Sequence, residues 1–595
     1  MDYEITPQRE AYLNARGHII LMACPGSGKT TSIVYKLGIV CDYCYNEYGS
    51  HAGVACLSFT NKACGELHDK FTLYYHRRLQ FPHVISTIDS FITQYIVFPF
   101  GHLLGYWKGL PTIINDDKQL HDIYFISVIK DGKEQIIPSL KGYNSIIFRY
   151  PPEKISFDVD GFKFNNKPIP THLIDYSKQV VSYRIHRGIL TSQDVLWLSN
   201  ILLKKYPHIS EIIVNRHPYV IIDEAQDLSK LQFMIFDKLK NAGLKNIEYI
   251  GDICQSIYGF RNANPETLNS LCESRDWTTL YLSENRRSNQ RIIDLFSILM
   301  PKHIPNIRSH KVDDLNIPIV VYRYNQTNVA EIRNDFKNIC MRYGLKRCIV
   351  LSRGDSLCKE LSGVGTEIEF WKSTIPYVII KSQLAFSNNR ISEALRGLRW
   401  VWAELLFKGA QHKEKREFLN VHKNDIESNA LLLQCLRMMP SLNESFEIWT
   451  EKAQQNLKLY LNLPVMPDFK IKKKMNGYNI KEIAKTPIEH YYSSNLFNSD
   501  YRNNIQTIHA VKGATYDAVL VFLSSDSRGG NISLKDIPKS RPVTMTEKQR
   551  IIYVALSRAA QFLSIAIPES IPVDYIAKQF KGHNISIKSL GMLFD

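Results

Sequence analysis

The sequence predicts an α/β fold that is divided into several domains. A length of 595 residues exceeds what one hydrophobic core usually organises. The apolar run 19–22 is typical of a buried strand, and it leads through a glycine-bearing loop into a helical pattern that continues to Val40. A second apolar run, 219–222, ends at a pair of acidic residues. Strands that alternate with helices in this way are typical of α/β architectures.

Composition indicates a packed globular protein with an excess of positive charge. Hydrophobic residues make up 44% of the chain and aromatic residues 11%, which excludes a disordered chain. Lysine and arginine number 74 against 58 acidic residues, so the net charge is +16. This excess favours a polyanionic partner, because each phosphate that is neutralised releases a condensed counterion. The basic residues are spread along the chain, with a small concentration at Lys470, Lys472, Lys473 and Lys474.

Cysteine usage and the first residues indicate a reducing compartment. The eleven cysteines are scattered, and the start, Met-Asp-Tyr-Glu, does not resemble a secretory leader. No apolar stretch reaches the roughly 18 residues that a bilayer-spanning helix needs. We therefore expect a cytoplasmic protein without membrane association. Cys41 and Cys44 form one C-x-x-C pair, but no second pair lies at zinc spacing, so we interpret both as buried thiols.

The loop after the first predicted strand, residues 23–31, predicts a phosphate-binding site. Its sequence is Ala-Cys-Pro-Gly-Ser-Gly-Lys-Thr-Thr, with alanine where such loops usually have their first glycine. Small residues let backbone N–H groups approach phosphates, and the N-terminus of the following helix adds a positive field. We expect Lys29 to reach the β- and γ-phosphates of ATP and the Thr30 hydroxyl to hold Mg²⁺. The other predicted nucleotide contacts of this loop are Gly26, Ser27, Gly28 and Thr31.

The acidic residues Asp223 and Glu224 directly follow the second predicted strand. A carboxylate at the end of a strand beside the phosphate-loop strand is placed to hold Mg²⁺, directly or through water. An adjacent carboxylate is placed to align and deprotonate the attacking water. We therefore assign Asp223 to the metal and Glu224 to the general base. The alternative is an acidic pair that only begins a helix favourably, which the preceding phosphate loop disfavours.

Six further segments, together with the phosphate loop and the acidic pair, form a set of motifs. They are Thr-Pro-Gln-Arg at 6–9, Ser-Phe-Thr-Asn-Lys-Ala at 58–63, Gly-Asp-Ile-Cys-Gln-Ser-Ile-Tyr-Gly-Phe-Arg at 251–261, Leu-Ser-Glu-Asn-Arg-Arg-Ser at 282–288, Thr-Ile-His-Ala-Val-Lys-Gly-Ala-Thr-Tyr-Asp at 507–517 and Gln-Arg-Ile-Ile-Tyr-Val-Ala-Leu-Ser-Arg-Ala at 549–559. Together with the phosphate loop and the acidic pair, these segments follow the order found in superfamily 1A DNA helicases. The chain resembles the UvrD, Rep and PcrA type of that family almost from end to end.

The resemblance implies base-reading and stacking roles in the first half of the chain. It implies that Gln8 reads adenine, which suits an amide because it presents a donor and an acceptor together. It also implies that Gln255 senses the γ-phosphate and that Phe260 stacks on a DNA base. One short segment would then contact both the γ-phosphate and a DNA base, so nucleotide binding would be linked to DNA binding. Further DNA contacts that the resemblance implies are Phe59 (by stacking), Thr60 and Asn61.

In the second motor half the resemblance implies two arginines that complete the ATP site. Arg287 matches the family's phosphate-contacting arginine, and Arg558 matches its arginine finger. Arginines from a second domain neutralise charge on the transferred phosphoryl group only when the cleft closes. The segment 507–517 is implied to contact both DNA and nucleotide, through His509 and Gly513 respectively.

Three positions depart from the family pattern. Arg286 stands where the family has an adenine-stacking tyrosine, and a guanidinium also lies flat on a purine, so we retain it as a nucleotide contact with altered base preference. Asp89 replaces a DNA-contacting histidine. A carboxylate would repel the phosphate backbone, so only the neighbouring Ser90 is retained as a DNA contact. Thr515 replaces a glutamate that contacts the ribose, which weakens sugar recognition.

The resemblance implies two RecA-like P-loop motor domains with parallel sheets, each with an inserted subdomain. The expected ranges are 1–91 and 189–289 for domain 1A, 92–188 for subdomain 1B, 290–360 and 500–595 for domain 2A, and 361–499 for subdomain 2B. Alternating residues at 156–164 predict a β-hairpin within 1B, where the family has helices. Subdomain 2B is predicted to be largely helical, for example over 391–407.

The function that the resemblance implies is ATP-driven movement on single-stranded DNA, in the 3′-to-5′ direction, coupled to strand separation at single-strand/double-strand junctions. Two alternatives stay open. One is a translocase that strips proteins from DNA with little unwinding. The other is a nucleotide-gated, DNA-binding subunit that regulates a protein partner such as a nuclease, for instance in anti-phage defence. DNA repair, replication and phage defence all remain open as pathways.

Overall fold

The computed structural model describes two α/β units, a helical segment and several short strands. The described ranges are 4–114, 185–257, 263–311, 315–325, 328–354, 370–407, 412–422, 425–472, 480–489, 505–525 and 531–588. Between residues 126 and 168 it also describes the backbone of six short strands. No helix in these ranges combines the length and apolarity needed to span a bilayer.

Six parallel strands form the first sheet, and both of its faces are buried. In chain order the strands are β1 (His18–Ala23), β2 (Val54–Ser58), β3 (Val84–Thr87), β4 (Tyr219–Asp223), β5 (Asn246–Gly251) and β6 (Thr278–Leu282). They lie in the order β6–β1–β5–β4–β2–β3. Ile20 and Met22 pack into one core and Leu21 and Ala23 into another, because successive side chains of a strand point to opposite faces. Burial on both faces explains why β1 and β4 are continuous apolar runs in the sequence.

Helices cover both faces of the first sheet. They are α1 (Pro7–Asn14), α2 (Lys29–Tyr48), α3 (Asn61–Tyr75), Ile88–Ile92, Ser192–Lys205, His208–Arg216, Lys230–Asn241 and Pro265–Cys272. The helices α1, α2 and α3 pack on one face, with Cys41 and Cys44 buried there as thiols. The helices Ser192–Lys205 and Lys230–Asn241 pack on the other face. The sheet therefore lies between two helical layers, as α/β architectures require.

A second sheet of six parallel strands is formed by later parts of the chain. Its strands are β7 (Ile319–Tyr324), β8 (Cys348–Ser352), β9 (Ile505–Thr507), β10 (Tyr516–Phe522), β11 (Ala559–Pro568) and β12 (Ile585–Lys588). Their order is β9–β8–β10–β11–β7–β12, and every neighbouring pair is parallel. The helices beside it are Gln290–Ser297, Val329–Arg342, Glu547–Leu556 and Val573–Gln579. Two parallel sheets flanked by helices confirm the predicted α/β fold class.

The chain between β8 and β9 is helical where it is described. Its helices are Ile375–Ser387, Ile391–Leu406, His412–Val421, Ile426–Met438, Phe446–Tyr460 and Ile480–Ile483. Residues 391–406 thus form a helix where the sequence predicts one for 391–407. An aromatic cluster holds the segment together, with the rings of Phe370 and Phe446 stacked at 4.5 Å and Trp371 beside Trp449.

The single hairpin predicted for residues 156–164 is wrong. The segment contains two short strands, Phe157–Asp158 and Lys163–Phe164, but they do not pair with each other. The first pairs antiparallel with Ile147–Phe148 and the second with Lys167–Pro168. Alternation of apolar and polar residues indicates an extended backbone, but it does not identify the partner strand.

A fully buried charged cluster joins α1, α2, β4 and β5. Glu248 accepts hydrogen bonds from the hydroxyl groups of Tyr12 (2.8 Å) and Tyr219, and its Oε1 lies 3.4 Å from Nζ of Lys36. Lys36 also donates to the backbone carbonyls of Tyr12 and Leu13. Burial lowers the pKa of Lys36 to about 8, although Glu248 opposes the shift. These contacts fix α1, which carries Gln8, against the helix of the phosphate loop.

Candidate functional site

The carboxyl ends of the first sheet's parallel strands meet at one edge, which faces the second sheet across a cleft. The loops after β1, β4, β5 and β6 leave this edge. The cleft encloses about 640 Å³. The predicted site residues that line it are Gly26, Ser27, Gly28, Lys29, Thr30, Phe59, Thr60, Asp223, Glu224, Gln255, Arg286, Arg287, Gly513 and Arg558.

Two glycines allow the backbone conformation of the phosphate loop, which borders this cleft. Gly26 and Gly28 have φ angles of 72° and 79°, in the left-handed region that side chains disfavour. A Cβ atom at Gly26 would lie 2.5 Å from Cβ of Arg287, and one at Gly28 would lie 2.6 Å from Nη2 of Arg9. Between them, Oγ of Ser27 is buried without a hydrogen-bond partner among the described residues. A buried polar atom within a cradle of backbone amides fits a phosphate oxygen.

Two buried side chains outside the predicted set hold the phosphate loop in place. Arg9 donates from Nη2 to the carbonyl of Ser27 at 2.9 Å. Asn285 donates from Nδ2 to the carbonyl of Pro25 at 2.6 Å, and its Oδ1 accepts from the backbone N–H of Arg287 at 2.8 Å. Arg9 and Asn285 lie inside the segments 6–9 and 282–288, but only the structure shows what they contact.

Lys29 connects the phosphate loop to the acidic pair. Its Nζ lies 2.9 Å from Oδ1 of Asp223 and also forms an ion pair with Glu224. Glu224 has a left-handed φ of 56°, and its backbone N–H donates to Oδ1 of Asp223 at 2.9 Å. Burial alone would raise the pKa of Glu224, but Lys29 and Lys512 outweigh burial and lower the pKa to about 2. Glu224 is therefore a carboxylate at neutral pH, the form that a general base requires.

A chain of hydrogen bonds leads from Glu224 to the second sheet. Gln226 donates from Nε2 to Oε2 of Glu224 at 2.5 Å, and its Oε1 accepts from the N–H of Asp252 at 3.0 Å. Gln255 donates from Nε2 to Oδ2 of Asp252 at 2.8 Å, and its Oε1 accepts from Nη2 of Arg558 at 2.9 Å. Gln226 and Asp252 are not among the predicted site residues. Their contact depends on β4 lying next to β5, which only the sheet order reveals.

The two predicted arginines influence each other at the wall of the cleft. Arg287 donates from Nη1 to the carbonyl of Ser557 at 2.8 Å, and Arg558 donates from Nε to the carbonyl of Val554 at 2.9 Å. Burial lowers the pKa of Arg558 to about 10. Burial together with Arg558 lowers the pKa of Arg287 to about 9. Both guanidinium groups stay protonated at neutral pH, so an anion bound beside them would relieve their mutual repulsion.

A buried ion pair between Lys512 and Asp227 also spans the cleft. The two side chains are 9% and 1% exposed, and 285 residues separate them in the chain. Oδ1 of Asp227 is buried without a hydrogen-bond partner among the described residues. Burial raises the pKa of Asp227 to about 6, although Lys512 opposes the shift. Lys512 falls inside the segment 507–517, and neither residue is among the predicted site residues.

The predicted base-contacting residues are engaged with the protein itself. The Gln8 amide donates from Nε2 to Oγ of Ser283 at 2.8 Å, and its Oε1 accepts from the Ser283 N–H at 2.9 Å. Arg286 donates from Nη1 to Glu4 at 2.6 Å, and its Nη2 lies 3.7 Å from Glu284. The backbone N–H of Arg286 donates to the carbonyl of Gly26, which fixes this residue beside the phosphate loop.

Three predicted DNA contacts lie where β2 passes into α3. Phe59 is half-buried, and Thr60 and Asn61 are exposed. Phe59 and Thr60 line the same cleft as Lys29. Oγ1 of Thr60 accepts from the N–H of Ala63 at 3.1 Å and so caps α3. The structure therefore places Phe59 and Thr60 close to the phosphate loop.

The remaining predicted DNA contacts are spread over other loops. Ser90 accepts a hydrogen bond from the hydroxyl of Thr87 at 2.7 Å, close to the carboxyl end of β3. His509 lies 3.3 Å from the carbonyl of Ile257, so it joins the second sheet to the segment that follows β5. Phe260 lies outside the described residues.

Asp89, where the family has a DNA-contacting histidine, points toward another partner. Its Oδ1 accepts a hydrogen bond from Nε2 of Gln232 at 2.9 Å. Burial raises the pKa of Asp89. The carboxylate of Asp89 is therefore hydrogen-bonded within the protein, to the helix Lys230–Asn241.

The donor groups present suit a magnesium ion carried by a nucleotide. Thr30 and Thr31 lie in the first turn of α2, and Thr30 lines the cleft together with Asp223. Mg²⁺ bound to phosphates needs only one or two protein ligands, because water and phosphate oxygens complete its shell. Among the described residues, no three His, Cys, Asp or Glu side chains gather into a metal site of their own. A hydroxyl and a carboxylate beside a phosphate cradle are the oxygen donors that Mg²⁺ prefers.

Comparison with known proteins gives one matching family and several similar chains. Residues 5–275 match the model described as the UvrD/REP helicase N-terminal domain. The chain is 22% identical to a probable DNA helicase II homolog of Rickettsia felis, over 96% of this chain and 93% of that protein. It is 23% identical to the ATP-dependent DNA helicase Rep of Buchnera aphidicola, over 93% of each chain. It is 24% identical to the ATP-dependent DNA helicase PcrA of Staphylococcus aureus, over 94% of this chain and 82% of that one.

These similarities extend beyond the matched N-terminal domain to both sheets. The matched range ends at residue 275, whereas the relatives align over nearly the whole chain. The matched range includes the phosphate loop and the acidic pair. The chain is thus similar to the UvrD/REP helicase N-terminal domain over residues 5–275, and over most of its length to proteins named as DNA helicases.

Proposed function

We propose that this protein is an ATP-dependent DNA helicase that moves along single-stranded DNA and separates strands. The observation that supports this most is the composition of one cleft. Lys29, Asp223 and Glu224 lie on one side of it, and Arg558 comes from the other sheet. Full-length similarity to proteins named ATP-dependent DNA helicases supports the same activity.

In the proposed reaction, the phosphate loop binds the β- and γ-phosphates of ATP through its backbone amides and Lys29. Lys29 then leaves its ion pairs with Asp223 and Glu224 for the phosphates. Thr30 and Asp223 would hold Mg²⁺, which supplies positive charge to the phosphate oxygens when it is bound. Glu224, freed from Lys29, accepts a proton from the attacking water.

Two arginines would complete the proposed site. Arg287 and Arg558 stabilise negative charge on the transferred phosphoryl group, and Gln255 positions Arg558 through its hydrogen bond. Arg558 precedes β11 of the second sheet, so hydrolysis depends on how closely the two sheets approach. Cleft closure and reopening would thereby be coupled to ATP turnover.

The proposal also names the residues that contact DNA and the direction of movement. We propose that movement runs 3′ to 5′ and that single-stranded DNA is contacted by six residues, Phe59, Thr60, Asn61, Ser90, Phe260 and His509. The net charge of +16 supports binding to a polyanion. We also propose the domain ranges 1–91 with 189–289 and 290–360 with 500–595 for the two motor units, with 92–188 and 361–499 as insertions.

Strand separation on a 3′-tailed duplex tests the proposal. The experiment compares the purified protein with Glu224→Gln, on 3′-tailed, 5′-tailed and blunt duplexes, and measures ATP hydrolysis in parallel. We expect ATP-dependent unwinding of the 3′-tailed substrate alone and none by Glu224→Gln. DNA-stimulated hydrolysis that displaces a bound protein without unwinding would favour a protein-stripping translocase. Hydrolysis that appears only with a nuclease partner would favour the regulatory subunit.

A further inference from the structure

The part of the nucleotide site that would meet the base differs from the part that would meet the phosphates. On the phosphate side, Lys29, Arg287 and Arg558 supply three cations, and the loop supplies backbone amides. On the base side, the two residues implied to read adenine are Gln8 and Arg286. Both side chains already form hydrogen bonds with other parts of the chain, Gln8 with Ser283 and Arg286 with Glu4. Binding free energy in this cleft is therefore concentrated on the triphosphate.

We propose that the site selects a triphosphate and discriminates little among bases, so that ATP, GTP, CTP and UTP are hydrolysed with comparable efficiency. This inference rests on the proposed nucleotide hydrolysis and names its substrate class. It assigns Gln8 a structural role in place of base reading. It also proposes that base selectivity is lost because Arg286 stands where the family has an adenine-stacking tyrosine.

The side-chain amide of Gln8 is already paired with Ser283. Reading adenine requires the amide to offer an N–H and a carbonyl oxygen along one edge. That edge is occupied, because Nε2 donates to Oγ of Ser283 and Oε1 accepts from the N–H of the same residue. The second N–H and the second lone pair point away from this edge and from each other. They cannot form another paired contact with one base.

The guanidinium group of Arg286 lies beside two carboxylates. A planar ring at this position would offer one apolar face to a base, but the guanidinium lies among charged and titratable groups. Glu4 accepts from Nη1 at 2.6 Å, and Glu284 lies 3.7 Å from Nη2. Glu4 also lies 3.3 Å from Nε2 of His310. A base that stacked here would meet the two carboxylates, which are strongly hydrated and offer acceptors only.

Steady-state hydrolysis of four triphosphates tests this inference. The measurement is kcat/KM for ATP, GTP, CTP and UTP with Mg²⁺ and saturating single-stranded DNA. We expect the four values to lie within about ten-fold of one another, because a site that reads a base through hydrogen bonds discriminates far more strongly. A preference for ATP above about a hundred-fold over the other three would overturn the inference and leave the proposed ATPase intact. Failure to hydrolyse any triphosphate would instead overturn the proposed function as well.

Two variants separate a base-reading role from a structural one. Arg286→Tyr should raise kcat/KM for ATP and GTP relative to CTP and UTP, because purines stack more strongly on an aromatic ring. Gln8→Ala should change all four values by the same factor. A selective loss for ATP in Gln8→Ala would show that this side chain reads adenine and would overturn the inference. Arg390→Tyr, at an exposed arginine of the helical segment, is the matched control and should leave all four values unchanged.

Discussion

Nη2 of Arg558 donates a 2.9 Å hydrogen bond to Oε1 of Gln255, and this contact joins the two sheets beside the acidic pair. Gln255 lies just after β5 of the first sheet, whereas Arg558 lies just before β11 of the second. The same glutamine donates to Asp252, which reaches Glu224 through Gln226. A shift of one sheet against the other therefore alters the surroundings of the proposed general base directly.

Arg558→Ala should reduce ATP turnover by about 10³-fold or more, the range found for arginine fingers. Gln255→Ala should reduce it as well, and the double variant should be no slower than Arg558→Ala alone, because both side chains act along one path. Single-turnover hydrolysis rates measure this coupling. Arg347→Ala, at an exposed arginine of the same domain, is the control. Strictly additive losses would contradict a shared path.

Lys29→Ala and Glu224→Gln should separate binding from chemistry. Lys29→Ala removes a cation from the phosphate loop, so both nucleotide affinity and turnover should fall. Glu224→Gln keeps the shape of the side chain but removes its basicity, so binding should persist while turnover falls by about 10²–10⁴-fold. A fluorescent nucleotide analogue measures affinity, and phosphate release measures turnover. Near-normal DNA-stimulated turnover in Glu224→Gln would remove this residue from the base role.

Turnover should decline as the pH falls through about 6, because Asp227 gains a proton there and loses its ion pair with Lys512. Glu224 and Lys29 also influence Asp227, but the pKa of Glu224 is lowered to about 2 and that of Lys29 is raised, so neither titrates in this window. Lys512→Met removes the charge that favours the carboxylate, so the midpoint should move to higher pH. Asp227→Asn should abolish the decline of turnover at low pH. If the decline persists in this variant, it must be caused by another group.

The same raised pKa has a consequence for stability. Between the ordinary aspartate value of 3.8 and about 6, the folded protein binds more protons at Asp227 than the unfolded chain does. Raising the pH across this window should therefore lower the free energy of unfolding. Asp227→Asn should flatten that part of the dependence, which urea unfolding at several pH values would measure.

Affinity for single-stranded DNA should fall steeply with salt. Phosphate contacts release condensed counterions, so Kd should rise more than about ten-fold between about 50 and about 200 mM salt. Fluorescence anisotropy of a labelled oligonucleotide measures this. A methylphosphonate strand of the same sequence, which carries no backbone charge, should bind weakly at every salt concentration. A salt-insensitive Kd for natural DNA would contradict the functional interpretation of the net charge.

Glu248→Leu should lower the free energy of unfolding by about 3–5 kcal/mol, because it leaves Lys36 buried without its counter-charge. Lys36→Met combined with Glu248→Leu should recover part of the loss. The matched surface change, Glu393→Gln, breaks an exposed pair with Arg390 and should cost no more than about 1 kcal/mol. Equal effects of the buried and the exposed change in urea unfolding would contradict the cost assigned to the uncompensated charge.

The strands of the first sheet that carry the site were predictable because they are buried on both faces. The apolar runs 19–22 and 219–222 correspond to β1 and β4, each followed by the loop that the chemistry requires. Residues predicted from the phosphate loop, the acidic pair and the two arginines line one cleft. The position of each motif after its strand was sufficient to predict that these residues lie together, because parallel strands bring their carboxyl ends to the same edge.

Contacts between distant segments could not be predicted in the same way. The pairing of Asp227 with Lys512 and the role of Gln226 depend on sheet order and on how the two sheets face each other. The hairpin expected at 156–164 was wrong, because alternation specifies exposure and leaves pairing open. The side chain of Gln8 was predicted from its motif, but its contact with Ser283 was not, because Ser283 follows β6 and lies 275 positions away in the sequence.

The order of strands in the second sheet has a consequence for protein synthesis. β7 and β8 are made early but are not neighbours, and β7 pairs only with β11 and β12. The first residue of β11 follows the last residue of β7 by 235 positions. At translation rates of about 5–20 residues per second, the ribosome needs on the order of 10–50 seconds to make this stretch. Throughout that interval both edges of a Val- and Tyr-rich strand lack their partners. Nascent chains should therefore depend on chaperone capacity, and slower translation should lower the yield of folded protein.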